Sequence, residues 1–319
     1  MENFNKQTAL PDGSDSVLAS ICYCANLKLF EKEKPYYCNV PCPPGYAQTN
    51  QETERRSGIK FTDMRSDWDG FNLDKQGFEP FCFDAEGWKS DFSNDAAIET
   101  TYYPFVESLL KRRFGNVRVQ IFDHTVRKRD PTIQTGAVGE NINRQPSVCA
   151  HVDQTFLSGV NRIKLHMKAE ATDLLKGRCQ IIKVVIAELG INQQLNSVWK
   201  PLFEPLEDYP LALCDYRTVN IDRDLLAADL VFPHYVGEQF YCKYDPDHQW
   251  YFLNHQRMNE FLLFKCYESR ENVARCKCCE PSDGLVAPHA AFKNPLCPEG
   301  ARFRESIEVR CMIFYDTDA

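Results

Sequence analysis

The sequence predicts a mainly-β protein with flanking helices, arranged as a sandwich or barrel. From residue 178 onward, short apolar runs of strand length alternate with turns. Few segments show helical spacing, and the chain has no internal repeat and no low-complexity tract. A chain of 319 residues is within the size that such folds reach as one domain. We therefore expect a single domain over residues 1–319.

The N-terminal part is expected to form an arm over residues 1–60 that wraps the core. Prolines and a long polar run interrupt it, and Pro43, Pro44 and Gly45 stand in succession. Strands are predicted near residues 21–29 and 58–63. A strand–turn–strand unit should follow over residues 63–82.

The clearest helix covers residues 96–114. Its apolar residues recur at helical spacing, and Gly115 is a suitable stop. Polar and apolar residues then alternate over 117–123, which predicts a half-buried strand. Residues 127–144 predict a loop that is either a lid or a plain solvated loop.

The second half of the chain begins with one more helical pattern and continues as strands. The helix is expected over residues 155–176. The strands that follow are predicted at residues 180–186, 211–214, 239–244, 250–253, 261–266 and 306–315.

Charge and hydropathy exclude several classes of partner. Lys and Arg number 37 and Asp and Glu 45, so the net charge is −8, with no dense basic block. Such a chain is a poor binder of nucleic acid or anionic membranes. No apolar run reaches the roughly 20 residues of a membrane-spanning helix, and the first ten residues have no signal-peptide core. We expect a cytoplasmic protein whose oligomeric state stays open, a homodimer being one option.

The 15 cysteines do not form a disulfide framework, since their number is odd and they are spread along the chain. Cys149, Cys214 and others lie in apolar runs and are expected to act as small buried hydrophobes. Cys276, Cys278 and Cys279 are crowded, but no matching second pair completes a structural zinc site.

The most informative short motif is His151-Val-Asp153, at the end of a short apolar run. Residues two apart on a strand share a face, so His151 and Asp153 can hold one metal ion together. They form half of the 2-His-1-carboxylate triad of non-haem Fe(II) sites. The alternative is a strand-end histidine beside a solvated aspartate.

The best partner among the seven histidines is His289, which follows a turn and an apolar run. Arg304 and Ser306 come soon after and share one face of a predicted strand. A guanidinium and a hydroxyl so placed can bind a carboxylate. The alternative is an exposed Arg304 paired with Glu305 or Glu308, which contributes no more than about 1 kcal/mol.

This order of motifs resembles the Fe(II)- and 2-oxoglutarate-dependent oxygenases. Within them, the chain is similar to the gibberellin-desaturase and cephalosporin-methoxylase-like hydroxylase/desaturases of secondary metabolism. The resemblance runs from about residue 60 to the end. It is carried by residues 122–127 (FDHTVR), 151–153 (HVD), 198–202 (VWKPL), 209–215 (YPLALCD), 250–252 (WYF), 263–265 (LFK), 289–292 (HAAF) and 304–310 (RESIEVR).

The resemblance implies a double-stranded β-helix, the jelly-roll or cupin-like core, over about residues 115–319 with helical insertions. It implies His151, Asp153 and His289 as ligands of Fe(II), with 2-oxoglutarate as cosubstrate and O2 as oxidant. Arg304 and Ser306 would anchor the C5 carboxylate of 2-oxoglutarate. Arg310 would be a second carboxylate contact or a structural one.

One candidate residue for binding the cosubstrate or the substrate departs from the family pattern. Lys200 stands where the family usually has arginine, and a lysine replaces a planar fork by a point charge. Arg127 and Arg217, with Lys200, are candidates to bind a carboxylate of a small-molecule substrate, which amino-acid-derived compounds would supply. The apolar candidates for the substrate pocket are Phe156, Trp199, Tyr251 and Phe292, and the alternative is that these side chains fill the core.

The resemblance implies coupling of 2-oxoglutarate decarboxylation to C–H oxidation by hydroxylation, desaturation or oxidative ring closure. Two alternatives remain open. An iron oxidase that does not use 2-oxoglutarate would keep the triad but need no carboxylate site. A jelly-roll protein that binds a ligand without turnover would share only the fold, because fold alone does not determine function.

Overall fold

Two β-sheets form the framework that positions the side chains of the candidate site. The computed structural model describes residues 14–83, 92, 94–133, 145–187, 205–269 and 286–315. The larger sheet has nine strands, whose spatial order is β1 (Ser16–Cys24), β3 (Thr53–Asp63), β11 (Trp250–Phe252), β8 (Leu211–Cys214), β13 (His289–Ala291), β6 (His151–Val152), β10 (Tyr235–Cys242), β9 (Leu225–Phe232) and β2 (Tyr36–Cys38).

The smaller sheet has five strands and is antiparallel throughout. Its spatial order is β4 (Phe78–Cys82), β12 (Glu260–Glu268), β7 (Cys179–Ala187), β14 (Glu305–Tyr315) and β5 (Val117–Lys128). Except for β9 and β10, strands that are adjacent in these sheets are not consecutive in the sequence, so residues far apart in the chain meet on adjacent strands.

The helices are few and short. They are α1 (Asp95–Ala97), a π-helical turn (Ile98–Tyr102), α2 (Tyr103–Phe114), α3 (Phe156–Met167), α4 (Ala171–Leu174) and α5 (Ile221–Asp224). α2 ends at Gly115, which takes φ 79° and so stops the helix where other residues would be strained. α3 begins at Thr155, whose hydroxyl accepts a hydrogen bond from the Ser158 amide. None of the described helices is long and apolar enough to cross a bilayer.

Alternation along β14 shows where the core lies. Val309 and Ile313 belong to a buried cluster with Leu109 of α2, so one face of the smaller sheet is covered by helix. Met312, on the opposite face, belongs to a cluster with Leu213 of β8 in the larger sheet. That second face therefore looks into the space between the sheets. By the same alternation it also carries Ser306, Glu308 and Arg310.

The predicted fold class is confirmed. The helix expected over 96–114 and the strands expected at 211–214 and 306–315 are present within one or two residues. The helix expected over 155–176 is interrupted at Lys168, which takes φ 49° between α3 and the next turn.

Several local predictions in the N-terminal part were wrong. The first strand ends at Cys24, and residues 28–31 form a 3-10 turn instead of extending it. A 3-10 segment (Met64–Gly70) replaces the first strand of the unit expected over 63–82, because the Asp63 side chain accepts from the Arg65 amide and starts a helical turn. The expectation of an N-terminal arm over residues 1–60 stays a prediction; the described part of this segment supplies β1, β2 and most of β3 to the larger sheet.

Candidate metal centre

Two neighbouring strands bring the two predicted histidines together. His151 of β6 and His289 of β13 are direct partners in an antiparallel pair. Both side chains are buried, and their ring centroids lie 4.4 Å apart. The two strands lie in the interior of the nine-stranded sheet, with β10 and β8 on either side. The pair therefore rests on a backbone that is hydrogen-bonded on both edges.

Asp153 completes the group one residue beyond the end of β6. Its Oδ1 lies 3.3 Å from Nε2 of His151 and 3.4 Å from Nε2 of His289. The ligand atoms of the three residues all lie within 4.8 Å of one another. The triad predicted from a motif and a distant histidine is thus assembled in space.

The backbone sets the tautomer of both imidazoles. Nδ1 of His151 lies 2.8 Å from the Cys149 carbonyl oxygen, and Nδ1 of His289 lies 3.0 Å from that of Ala287. A carbonyl can only accept, so each Nδ1 carries a proton, and in the neutral imidazole Nε2 is then the atom that keeps its lone pair. Burial, with the neighbouring His151 and Lys183, lowers the pKa of His289 to about 4, which keeps this imidazole neutral at pH 7.

This donor set fits a metal ion. Nε2 of His289 is buried and has no hydrogen-bond partner among the described residues. A buried nitrogen lone pair without a partner is costly unless a ligand takes it up. Two imidazoles and a carboxylate, each with its other polar atoms already bonded, are the ligands that non-haem Fe(II) prefers.

The second oxygen of Asp153 is held from the smaller sheet. Oδ2 lies 2.9 Å from Nζ of Lys183 on β7, and it accepts a hydrogen bond of 3.1 Å from Nε of Arg310 on β14. Burial alone would raise the pKa of the Asp153 carboxyl, but Lys183 and Arg310 outweigh it and hold that pKa well below its usual range. Oδ1 is therefore left as the oxygen that faces the two imidazoles.

Glu308 balances these cations. Its Oε2 lies 3.3 Å from Nζ of Lys183. Its Oε1 accepts a hydrogen bond from NH2 of Arg310 at 2.8 Å and another from NH2 of Arg127 at 2.9 Å. Burial would raise the pKa of Glu308, but Arg127, Lys183 and Arg310 together hold it well below its usual range. Neither Lys183 nor Glu308 was predicted as a functional residue. The one available signal was a lysine inside the apolar run of β7.

Arg304 and Ser306 lie together in the interior. Arg304 is 3% exposed, and its Nε donates to Oγ of Ser306 at 3.1 Å. Its NH1 donates to the Tyr209 carbonyl, yet its guanidinium forms no ion pair within the described residues. Burial and the nearby Arg127 lower the pKa of Arg304 to about 10, so it remains charged at pH 7. This placement rules out the exposed pairing with Glu305 or Glu308.

A cavity of about 730 Å³ opens onto two members of the triad, His151 and Asp153. His151, Asp153, Arg127 and Arg310 are among the described residues that line it, whereas Arg304 is not. Arg127 was predicted to bind substrate, but the structure engages its guanidinium with Glu308. A volume of this size is ordinary for a small-molecule site.

The other predicted substrate residues that the structure describes do not line the cavity. Arg217 pairs with Asp215 and is not among the described residues that line the cavity. Phe292 is 1% exposed and stacked at 4.0 Å on Phe61, which places it in the core. Phe156 packs against both central clusters and against Phe240. Lys200, Trp199 and the crowded cysteines Cys276, Cys278 and Cys279 fall outside the described residues.

Comparisons with known proteins agree with this geometry. A family model described as an oxidoreductase/YMDC permease-like domain matches residues 22–314. The Fe(II)/2-oxoglutarate-dependent dioxygenase nvfI of Aspergillus novofumigatus (strain IBT 16806) is 30% identical over 317 residues, covering 93% of this chain and 99% of the relative. The hydroxylase/desaturase efuI of Hormonema carpetanum is 28% identical, covering 81% and 83%. A solved structure of the iron and α-ketoglutarate-dependent endoperoxidase NvfI superposes with a TM-score of 0.73 at 27% identity, covering 94% of this chain and 98% of that chain.

A two-sheet jelly roll that holds two histidines and one carboxylate at its centre defines a non-haem iron oxygenase. The two curated relatives match over 93% and 81% of the chain and are named as a dioxygenase and a hydroxylase/desaturase. The chain belongs to the Fe(II)/2-oxoglutarate-dependent dioxygenases, in the group of hydroxylase/desaturases of secondary metabolism. It is therefore an oxidoreductase that uses Fe(II), 2-oxoglutarate and O2, as its motifs predicted.

Proposed function

We propose that this chain couples decarboxylation of 2-oxoglutarate to oxidation of a C–H bond in a small molecule of secondary metabolism. The outcome would be hydroxylation, desaturation or oxidative ring closure. The observation that carries the proposal is the convergence of His151, Asp153 and His289 within 4.8 Å, with their other polar atoms already occupied.

In this proposal His151, Asp153 and His289 hold Fe(II) through two Nε2 atoms and Oδ1. The bound iron, with 2-oxoglutarate and O2, supplies an oxidant able to take a hydrogen atom from carbon. The protein's own task is to place the substrate carbon beside the metal and to exclude water. Lys183 and Arg310 keep Asp153 ionised and oriented, so that Oδ1 stays directed at the metal position.

Arg304 and Ser306 are proposed to bind the C5 carboxylate of 2-oxoglutarate. A buried guanidinium without a carboxylate partner among the described residues is unfavourable until an anion reaches it. The Ser306 hydroxyl, already bonded to Nε, adds a donor to the same carboxylate. Arg310 is assigned a positioning role, because its three nitrogens already contact Asp153, Asp123 and Glu308.

A visible metal-to-ligand charge-transfer band tests both assignments. Anaerobic protein with Fe(II) and 2-oxoglutarate is expected to develop the band, and His151→Ala, Asp153→Ala and His289→Ala are each expected to lose it. Arg304→Gln should retain the band but need about 10–100-fold more 2-oxoglutarate to reach half intensity, because charge-assisted hydrogen bonds contribute about 1.5–3 kcal/mol. If all three alanine variants keep the band, the triad is misassigned. An unchanged half-saturation in the Arg304 variant would reject the carboxylate site.

We also propose a cytoplasmic location. The cysteines that the structure describes are free thiols, the usual state in a reducing compartment. A fluorescent fusion is expected to give a diffuse cytoplasmic signal, and a signal confined to secretory vesicles would contradict it.

A further inference from the structure

Arg162 is a cation at the candidate active site that neither the motifs nor the triad account for. It lies on α3, where Ser158, Gly159 and Ile163 form the buried stripe against the sheets. Arg162 flanks that stripe and is among the residues that line the 730 Å³ cavity, together with His151 and Asp153. One cavity is therefore lined by two members of the triad, His151 and Asp153, and by this guanidinium.

The guanidinium of Arg162 packs on aromatic rings, and no acid among the described residues pairs with it. Its central carbon lies 4.4 Å from the ring centre of Tyr235 and 5.7 Å from that of Phe122. Its Nε is buried and has no hydrogen-bond partner, and no ion pair reaches the side chain among the described residues. Stacking on a ring face leaves the N–H edge of a guanidinium free to bind oxygen. A buried donor without an acceptor carries a free-energy cost that a ligand oxygen would remove.

The other charges around the cavity are already engaged. Arg127 is bonded to Glu308, Arg129 lies 3.3 Å from Asp208, and Arg310 is bonded to Asp123 and Asp153. The Asp130 side chain accepts from the amide and hydroxyl of Thr132. Within the described lining, Arg162 is the cation that has no anion of its own.

We propose that Arg162 binds an anionic group, a carboxylate, of the substrate. This rests on the proposed function, and it narrows the substrate class to an organic anion with an apolar body. Tyr37, Leu230, Phe232 and Tyr241 supply aromatic and aliphatic wall for such a body. The guanidinium fork and the two carboxylate oxygens form a bidentate pair, which fixes one end of the substrate while another carbon reaches the triad.

Two probes of the same shape test the proposal by titration calorimetry. They are 2-naphthoate and its neutral amide, 2-naphthamide, added to anaerobic protein loaded with Fe(II) and 2-oxoglutarate. Wild-type protein is expected to bind the carboxylate at least tenfold more tightly than the amide. Arg162→Met keeps the apolar stem and should abolish the preference, whereas Arg162→Lys should retain part of it.

Arg129→Met is the matched control. Arg129 lines the same cavity and is also stacked, on Tyr209 and Phe303, but Asp208 already neutralises it. This variant should keep the anion preference. The 2-oxoglutarate concentration that gives half the charge-transfer band should not rise in Arg162→Met, which separates a substrate site from a cosubstrate site.

The outcomes separate the two proposals. Equal binding of the two probes to wild-type protein, or a preference that survives in Arg162→Met, would overturn the anion site. Loss of the preference in the Arg129 variant as well would show a general effect of cavity charge and would also overturn it. A wild-type protein that binds 2-naphthoate preferentially but develops no charge-transfer band rejects the proposed function instead.

Discussion

At the scale of single residues, the orientation of Asp153 depends on two cations from the opposite sheet. Lys183 and Arg310 both contact Oδ2, which leaves Oδ1 toward the imidazoles. Groups that orient a metal ligand usually change metal affinity 10–100-fold when they are removed. The side chain of Lys183 is only 2% exposed, so its charge interacts more strongly with Asp153 than a solvent-exposed charge would.

Lys183→Met is therefore expected to weaken Fe(II) binding about 10–100-fold, because Asp153 keeps only Arg310 as a partner. Anaerobic titration with Fe(II) or Co(II) measures the change. Lys265→Met is a matched control, since Lys265 is equally buried but pairs with Glu268 and Asp74. The control should lose stability and keep its metal affinity. If both variants lose stability alike and bind metal like wild type, Lys183 is purely structural.

The residues that could be predicted from the sequence are those with a recognisable spacing. His151 and Asp153 are two apart, and Arg304 and Ser306 repeat that spacing, so strand geometry alone places each pair on one face. Lys183 and Arg162 have no such pattern, and their partners come from strands or helices more than 20 residues away, so an isolated charged residue in the sequence carried no sign of them. Glu308 is two residues from Arg310, but its other partners, Arg127 and Lys183, are far away in the chain.

At the scale of elements, α3 is seated on β12 by close approach of a glycine. A Cβ added to Gly159 would lie 2.3 Å from Cδ2 of Tyr267, which is itself 5% exposed. Such a contact forces the helix or the ring to move. α3 carries Arg162 into the cavity, so the seating of this helix also determines where that guanidinium lies.

Gly159→Ala is expected to destabilise the protein by about 1 kcal/mol or more, because overpacking outweighs the better helix propensity of alanine. Urea unfolding measures the loss. In a Tyr267→Ala background the same substitution meets no ring and should become neutral or stabilising by up to about 1 kcal/mol. An equal loss in both backgrounds would show that the ring contact is not the cause.

Element prediction succeeded where periodicity was long and failed where side chains decided the backbone. The apolar residues of α2 and β14 keep a regular helical or strand spacing over the whole element, and both elements were predicted. β9 (Leu225–Phe232) is a run of leucine, alanine and valine that periodicity does not distinguish from a helix, and it was missed. β6 and β13 are only two and three residues long, so their pairing depends on the rest of the sheet.

At the scale of the whole molecule, the candidate site exists only because the two sheets face each other. The larger sheet supplies His151, Asp153 and His289, and the smaller one supplies Lys183 and Arg310. The family motifs predicted this architecture, whereas composition and periodicity alone led to a sandwich or barrel. The smaller sheet also contains a second group of buried charges, which lies around Glu268 of β12.

The ionisation of Glu268 is expected to make the free energy of unfolding depend on pH in the acidic range. Its carboxylate is fully buried, lies 2.8 Å from both Arg178 and Lys265, and accepts from Gln180. Burial would raise its pKa, but Arg178 and Lys265 outweigh it, so its pKa is lower in the folded state than the unfolded value of about 4.3. The folded state then binds fewer protons than the unfolded one as the pH falls through this range. The stabilisation is complete above about pH 5 and declines below pH 4.3.

Glu268→Gln should therefore cost about 2 kcal/mol at pH 7, the scale of a hydrogen bond to a charged group. The gap between wild type and variant should shrink as the pH is lowered toward 3, because protonation of the wild-type carboxyl makes it resemble the amide. Urea unfolding of both proteins at a series of pH values measures this gap. A gap of constant size from pH 7 to pH 3 would show that the charge of Glu268 is not what stabilises this part of the sheet.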